Sequence, residues 1–296
     1  MQGWLVVNHS LVSGKFIELS DWLLRSARKF GMDMQKKTNA ETILAVEAGG
    51  SLRHGKPDFV LFWDKDTRLA RRLELEGVRL FNSAKSVESC DDKSLTYLRL
   101  LASGIKMPKT IVAPLAFDEI DWGKRDFTDG AAKILGYPIV LKECFGSFGE
   151  QVYLAQNASD LALIMNGIGT KPMLLQEFVA TSMGRDIRLH IVGSKVAASM
   201  YRYSDGKDFR TNISSGGKMK PYTPNGRQIE MALTACSTLG LDFAGVDILF
   251  GKNDEPVFCE INSNAHFKNI FNCTGVDVAD YMMQHILDAM NQSRRQ

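Results

Sequence analysis

Two apolar strands near the C-terminus each carry an acidic side chain in their interior. They lie in the segment FAGVDILFGKNDEPVFCEINSN, residues 243–264, where Asp247 and Glu260 interrupt runs that a sheet would bury. Burying an ionised carboxylate is costly unless it is paired or coordinated. The dipeptide Asn253-Asp254 predicts a two-residue hairpin turn, and counting outward from it places Asp247 opposite Glu260. The fold must therefore either expose this pair or bring positive charge to it.

The same counting places Gly245 opposite Asn262, so that Asp247, Glu260 and Asn262 share one face of the hairpin. The opposite face is predicted to carry the apolar side chains of Val246, Ile248, Phe250, Val257, Cys259 and Ile261. Two carboxylates and an amide are oxygen donors that suit a hard divalent cation such as Mg²⁺. The alternative is a solvent-facing acidic pair in an ordinary hairpin.

Composition narrows the classes of function. The chain has 296 residues, of which 36 are basic and 34 acidic, and its formal net charge is +2. The length allows two domains, or one domain with a large insertion. Because the charges are interspersed, a nucleic-acid binder with a concentrated basic face is not expected.

Cysteine usage and hydropathy indicate the compartment. The five cysteines are odd in number and form no C-x-x-C pair, which predicts reduced thiols in a cytoplasmic protein. The N-terminus lacks a basic flank and a cleavage site, and no apolar run reaches about 18 residues, which argues against secretion and against a membrane span.

Strand and helix patterns alternate as β-α-β over roughly the first 90 residues, which predicts a small parallel α/β domain. Ser89 or Asp91 is then predicted to cap a helix that Gly104 ends. Two α+β units follow. The second contains a hairpin, DIRLHIV-GS-KVAASMYR, and a C-terminal helix.

Three further patterns suggest a phosphate-binding cavity. Lys142 precedes a loop bracketed by Gly146 and Gly149, where backbone N–H groups can approach phosphate oxygens. A hairpin with glycines in its turn explains this pattern equally well. Likewise, the strand end Gln176-Glu177-Phe178 suits an adenine edge, or is an ordinary strand end.

The third pattern is a set of arginines. On the strand DIRLHIV, period two places Asp186, Arg188 and His190 on one face. Arg188, together with Arg202 and Arg210, is a candidate clamp for phosphate or carboxylate, since a guanidinium binds such groups with two parallel hydrogen bonds. The alternative is that these arginines are solvated on an exposed hairpin.

Seven motifs follow one another from Asp91 to the end of the last hairpin: DDK, IVLKECFGSFG, LLQEFV, GRDIRLHIVG, DFRTNISSGG, FAGVDIL and CEINSN. In this order they resemble the ATP-grasp superfamily, and within it the RimK-like α-L-glutamate ligases, over roughly two-thirds of the chain. The resemblance implies an α/β and α+β chain with the ATP-grasp fold. Its parts would be a Rossmann-like pre-ATP-grasp domain at 1–91, a central lid domain at 92–177 and a C-terminal domain at 178–296.

Matched position by position, the resemblance implies three groups of site residues. Those binding ATP are Lys93, Lys142, Gly146, Ser147, Gly149, Gln176, Glu177, Phe178, Val179, Asp186, Arg202, Thr211 and Asn212. The metal ligands are Asp247, Glu260 and Asn262, for two Mg²⁺ ions with Mn²⁺ as an alternative. The catalytic residues are Arg188 and Arg210.

The implied reaction is carboxylate–amine ligation through an acylphosphate, with release of ADP and phosphate. The carboxylate would belong to an amino acid, a peptide or a protein, the co-substrate would be an amine, and the enzyme would be a dimer or tetramer. Alternatives are an ATP-grasp kinase of small molecules and a non-catalytic ATP-binding regulator.

After Asn262 the chain departs from the N-[AS]-S-P-G pattern typical of the family, and reads Ser263-Asn264-Ala265-His266. The departure predicts that substrate identity depends on this loop. The segment FWDKD at 62–66 is either a further substrate-binding loop or a strand-end ion pair of Asp64 with Lys65.

Overall fold

A computed structural model describes residues 1–42, 55–117, 122, 125–146, 149–204, 209–211 and 216–293. These residues form a parallel sheet near the N-terminus, a middle antiparallel sheet and a C-terminal antiparallel sheet. The described part of the chain holds no helix that is long and apolar enough to cross a bilayer.

The N-terminal sheet is parallel in the order β2-β1-β3-β4, as the β-α-β alternation predicts. Its elements are β1 (Gln2–Val7), α1 (Gly14–Lys29), β2 (Asp33–Thr38), β3 (Phe59–Trp63), α2 (Thr67–Leu75) and β4 (Arg79–Phe81). Val7 pairs with Trp63 at the carboxyl ends of β1 and β3. The residues that follow, Asn8 and Asp64, therefore leave the sheet side by side.

Two helices, not one, link this sheet to the next part of the chain: α3 (Ala84–Asp91) and α4 (Lys93–Leu100). The predicted cap at Ser89 or Asp91 is wrong. Asp92 has an extended backbone and caps α4, its Oδ1 accepting from the N–H of Ser94 at 2.8 Å. The acidic pair in DDK thus divides the helical segment.

The middle sheet has the order β5-β8-β6-β7, and helices pack on its outer face. The elements are β5 (Thr110–Val112), α5 (Arg125–Leu135), β6 (Ile139–Glu143), β7 (Val152–Ala155), α6 (Ala158–Ile168) and β8 (Met173–Glu177). In β6, Ile139 and Leu141 join the core under the helices. The alternate side chains, Val140 and Lys142, face the opposite side of the sheet.

The C-terminal sheet has the order β11-β10-β9-β12-β13. Its strands are β9 (Arg185–Val192), β10 (Lys195–Tyr203), β11 (Lys218–Pro221), β12 (Phe243–Phe250) and β13 (Pro256–Asn262), and its helices are α7 (Gly226–Leu239), α8 (Lys268–Thr274) and α9 (Val278–Ser293). Ile187, Leu189 and Ile191 of β9 pack in one core with α7. The predicted alternation of β9 is thereby confirmed, and Asp186, Arg188 and His190 lie on the other face.

The parallel and C-terminal sheets share an apolar core. Trp63 of β3 lies in the same cluster as Phe243 of β12 and Phe267, with ring centroids 6.2 and 6.1 Å away. Asn82, fully buried, adds hydrogen bonds from Nδ2 to the carbonyls of Phe243 and Ser263, both at 2.9 Å. This packing fixes the carboxyl edge of the parallel sheet against the end of β13.

The hairpin of β12 and β13 confirms the predicted pairing but corrects its turn. Asp247 is opposite Glu260, and Gly245 is opposite Asn262. The turn has three residues, 252–254, and closes with a hydrogen bond from the N–H of Gly251 to the carbonyl of Glu255 at 2.7 Å. This changes the register by one residue, and an irregularity between Glu260 and Phe258 restores it.

The same irregularity changes which side chains share a face. Phe258, which the simple alternation placed with the acidic residues, lies in the core beneath α7. Cys259, predicted for the apolar face, lies on the side of Asp247 and Glu260. The prediction for Cys259 is wrong because an inserted residue reverses the alternation locally.

Candidate active site

A cavity of about 540 Å³ lies among the three sheets. Most of the predicted site residues line it: Lys142, Gly149, Gln176, Glu177, Phe178, Val179, Asp186, Arg188, Arg202, Arg210, Thr211, Asp247, Glu260 and Asn262. Lys93 and Gly146 are described but do not line it. Ser147 and Asn212 lie outside the described residues.

A network of two arginines and two carboxylates forms the floor of the cavity. Arg188 donates from Nε and Nη2 to the two carboxylate oxygens of Asp247, both at 2.6 Å. Arg202 forms the same bidentate arrangement with Asp186 at 2.7 Å, and its Nη2 also lies 2.9 Å from Asp247 Oδ2. The alternative of solvated arginines is wrong for both, since the side chains of Arg188 and Arg202 are only 18% and 8% exposed.

The network fixes the ionisation of Asp247 and Arg202. Burial by itself raises the pKa of Asp247, but Arg188 and Arg202 outweigh burial and hold that pKa below its ordinary value. Burial lowers the pKa of Arg202, and the neighbouring Asp186 and Asp247 raise it above its ordinary value. Asp247 and Arg202 are therefore both charged at neutral pH.

Lys142 of β6 and Cys259 of β13 both line the cavity and interact electrostatically. Burial lowers the pKa of Lys142, yet the ionisable groups around it, Cys259 first and then Tyr97, Glu260 and Asp247, raise it above its ordinary value. Burial raises the pKa of Cys259 to about 11. At neutral pH the thiol is therefore protonated, and the charges that keep the Lys142 ammonium ionised are those of Glu260 and Asp247.

The glycine loop after β6 is held by two cationic side chains. Lys93 Nζ donates to the carbonyl of Gly146 at 3.3 Å, and Arg210 Nη1 donates to the carbonyl of Gly149 at 3.1 Å. Both glycines have positive φ, 152° and 71°, a region that favours glycine. The loop therefore lies next to the cations that the sequence suggested for phosphate binding.

The end of β8 forms another wall. The side chain of Gln176 is buried and donates to Thr110 Oγ1 at 2.8 Å, which fixes β8 to β5. Phe178 packs edge-to-face on Phe209, with centroids 6.1 Å apart. Gln176, Glu177, Phe178 and Val179 follow one another along the cavity wall.

The N-terminal part of the chain contributes residues that the sequence did not assign, among them Asn8 after β1 and Phe16 of α1. Phe16 meets His266 edge-to-face, with ring centroids 5.0 Å apart. Burial, then the charges of Lys15 and Arg188, lower the pKa of His266 to about 4, so its ring is neutral at neutral pH. The position of Asn8 directly after a buried parallel strand was a signal that could have found it.

The family follows from comparison with known proteins. A family model of the RimK-like ATP-grasp domain matches residues 90–286. The chain belongs to the RimK-like ATP-grasp family. Membership places it among the ATP-dependent carboxylate–amine ligases, so the fold and the reaction class expected from the motifs are confirmed.

Individual proteins agree with this family. A probable alpha-L-glutamate ligase of Enterobacter sp. is 35% identical over 224 residues, which are 74% of this chain and 71% of the relative. N-acetylaspartylglutamate synthase A of Homo sapiens is 35% identical over 229 residues, 74% of this chain but 56% of the human protein. The ATP complex of D-alanine--D-alanine ligase from Bacillus anthracis has a TM-score of 0.75 at 16% identity, covering 100% of this chain and 99% of the other, and shows the same fold.

ATP-grasp ligases use ATP with divalent metals, and the residues here fit such an ion. Asp247, Glu260 and Asn262 offer oxygen donors from adjacent strands. Among the described residues, the side chains of Glu260 and Asn262 make no hydrogen bond or ion pair, whereas Asp247 is held by its arginines. No cluster of three His, Cys, Asp or Glu residues that could hold a metal occurs in the described ranges.

Proposed function

We propose that this RimK-like ATP-grasp ligase binds ATP between the middle and C-terminal sheets and joins an amine to the carboxylate of an amino acid, a peptide or a protein. The observation that carries the proposal is the cavity that unites Lys142, Arg188 and Arg210 with Asp247 and Glu260. Cations suited to phosphate and oxygen donors suited to a divalent ion meet there, at the junction of two antiparallel sheets.

In the first step, a carboxylate oxygen of the substrate attacks the γ-phosphorus of ATP and the bond to the β,γ-bridging oxygen breaks, which gives an acylphosphate and ADP. The amine then attacks the carbonyl carbon, the bond from that carbon to the phosphate oxygen breaks, and the amine nitrogen gives up a proton as the amide forms. The overall products are an amide, ADP and phosphate.

The chain's residues have separate tasks in this scheme. Lys142 and Arg210 neutralise charge on the phosphates. Arg188 stabilises the acylphosphate. Asp247 holds the Arg188 guanidinium through Nε and Nη2, whereas Nη1 of Arg188 donates no hydrogen bond within the described ranges and can donate to the substrate. Asp186 orients Arg202 and accepts from Thr211 Oγ1 at 2.5 Å, so these residues form a rigid support.

Asp247, Glu260 and Asn262 would hold Mg²⁺, as two ions, with Mn²⁺ as an alternative. When bound, the metal supplies positive charge that neutralises the phosphoryl oxygens. Glu177, Phe178 and Val179 would bind the adenine, and the glycine loop with Ser147 and Asn212 would approach the phosphates. Relatives named for glutamate support an amino acid among the substrates. The absence of a C-x-x-C pair supports a cytoplasmic setting. A dimer or tetramer is part of the same proposal.

A substrate screen separates ligation from the alternatives. The protein is incubated with Mg-ATP, each amino acid and a set of dipeptides, and phosphate release and product mass are recorded together. Phosphate released with an amide mass supports the proposal. A stable phosphorylated product would replace it with a kinase, and no turnover with any substrate would favour a regulator.

Glu260→Gln tests the metal site more cleanly than a change at Asp247, because the Glu260 side chain makes no hydrogen bond or ion pair within the described ranges. Its replacement therefore leaves the arginine network intact. We expect turnover to fall by about a hundredfold or more, with an unchanged melting temperature in the absence of metal. Glu255→Gln is the matched control, since Glu255 lies at the exposed turn and pairs with Lys106. Equal activity of the two variants would remove Glu260 from the site.

A further inference from the structure

Asp64 is a buried carboxylate in the cavity wall that is only half satisfied. It follows β3 directly, is 3% exposed and lines the cavity. Its Oδ1 accepts from Asn8 Nδ2 at 3.1 Å and from the N–H of Lys65 at 2.7 Å. Its Oδ2 is buried and has no hydrogen-bond partner among the described residues.

The neighbouring lysine does not neutralise this carboxylate in the way the sequence suggested. The ammonium group of Lys65 pairs with Asp91, and the backbone N–H of Lys65 donates to Asp64 Oδ1. Burial is the main cause that raises the pKa of Asp64, against the hydrogen bonds from Asn8 and Lys65. A buried acceptor without a donor is destabilising by itself, which makes a ligand that brings a donor favourable there.

We propose that Asp64 is the residue that recognises the amine co-substrate, by accepting a hydrogen bond at Oδ2 from its ammonium group. The ammonium then gives up one proton to solvent, so that the nitrogen lone pair can attack the carbonyl carbon, and the second proton leaves as the amide forms. The inference rests on the proposed ligase function and adds a substrate class to it: an amine that enters as a cation, as a free amino acid does. The position agrees with this role, because Asp64 comes from the N-terminal sheet and lies in the same cavity as Arg188 and Glu260. The same fixed acceptor disfavours a group that brings no N–H or O–H donor, such as an ester, in place of the amine.

The geometry defines the informative substitution. In Asp64→Asn, the amide oxygen takes the place of Oδ1, because that position accepts two N–H groups. The amide NH₂ then replaces Oδ2 and presents donors to the donors of the ammonium group. Asp66→Asn is the matched control: Asp66 caps α2 through a hydrogen bond from the N–H of Leu69 at 3.1 Å, does not line the cavity, and asparagine caps equally well.

The experiment measures steady-state kinetics of both variants and the wild type with Mg-ATP and the amino acid that supports turnover. We expect Asp64→Asn to raise the KM for that amino acid by roughly tenfold to a hundredfold, as for loss of a charged hydrogen bond, with the KM for ATP unchanged. Hydroxylamine, which is largely uncharged at neutral pH, replaces the amine in a second assay. Hydroxamate formation should fall far less in Asp64→Asn than turnover with the amino acid, because neutral hydroxylamine brings no charge to position 64, and the remaining activity also shows that the variant is folded.

Each other outcome has a definite meaning. An unchanged KM for the amino acid in Asp64→Asn overturns the inference while the ligase function stands, and leaves a buried water as the partner of Oδ2. Equal losses with hydroxylamine and with the amino acid also overturn it, because they show a purely structural role. No phosphate release by the wild type with any amine contradicts the proposed function itself, and the inference with it.

Discussion

Replacement of Arg202 by methionine should destabilise the protein far more than replacement of an exposed arginine. Arg202 is the shared cation of Asp186 and Asp247, with contacts of 2.7, 2.7 and 2.9 Å and a side chain that is 8% exposed. Breaking a buried pair by removal of one partner costs about 3–5 kcal/mol, because a buried charge is left uncompensated. In Arg202→Met, Asp247 still has its ion pair with Arg188, and Asp186 still accepts a hydrogen bond from Thr211. We therefore expect the free energy of unfolding to fall by about 3 kcal/mol, the lower end of this range.

Urea unfolding at neutral pH measures this difference, with Arg71→Met as the control. Arg71 pairs with Glu88 at the surface, where the side chains are 56% and 35% exposed, and such pairs contribute about 1 kcal/mol or less. The loss of unfolding free energy in Arg202→Met, relative to the wild type, should also become smaller as the pH falls. Without Arg202 the pKa of the buried Asp247 carboxyl is higher in the folded state, and its protonation then removes an uncompensated charge.

Two results would refute this reasoning. One is a loss in Arg202→Met no larger than that in Arg71→Met, which would show that the network is solvated in solution. The other is a loss that grows on acidification. Adding Asp186→Leu to Arg202→Met should recover part of the stability, because the double variant removes a charge that the single variant leaves unpaired.

Three further predictions concern other parts of the fold. Asn82→Ala should lower the free energy of unfolding in urea by about 2–3 kcal/mol, because it leaves the carbonyl of Ser263 and the N–H of Phe243 without their buried partner. A decrease below about 0.5 kcal/mol would contradict this prediction. Burial, with Arg188 and Arg202, lowers the pKa of His190 to about 3, so the folded state resists protonation of this ring. The free energy of unfolding should therefore fall as the pH drops from about 6.5 towards 3. His190→Asn should flatten this pH dependence, and an unaltered slope would contradict the prediction. The pKa of Cys259 is raised from 9.0 to about 11. Its alkylation by iodoacetamide should therefore be about a hundredfold slower than that of an ordinary thiol, as followed by mass spectrometry. A rate equal to that of a free thiol would contradict this prediction.

The hairpin shows how far the sequence could predict this site. Alternation and pairing brought Asp247, Glu260 and Asn262 together, since period two is a property of any strand. The turn was wrong by one residue, and the pairing at the site survived because an irregularity near Cys259 restores the register. No sequence rule announces such an insertion, which is why Cys259 was assigned to the wrong face.

The arginine network shows where sequence reasoning stops. The face of β9 that carries Asp186 and Arg188 was predicted correctly, but exposure of that face depends on what packs over it. The middle sheet and the N-terminal sheet cover it, and each lies far away in sequence. For the same reason the contribution of Asn8 and Phe16 was missed, since a cavity between sheets is a property of tertiary packing. The domain boundaries at 91 and 177 stay predictions.

Oxygen transfer tests the central claim most directly. The carboxylate substrate is labelled with ¹⁸O on both oxygens and allowed to react with Mg-ATP and the amine, and the released phosphate is analysed by mass spectrometry. Reaction through an acylphosphate breaks the bond between the carbonyl carbon and a labelled oxygen, so each phosphate should carry one ¹⁸O atom. Amide formation with unlabelled phosphate would contradict the account.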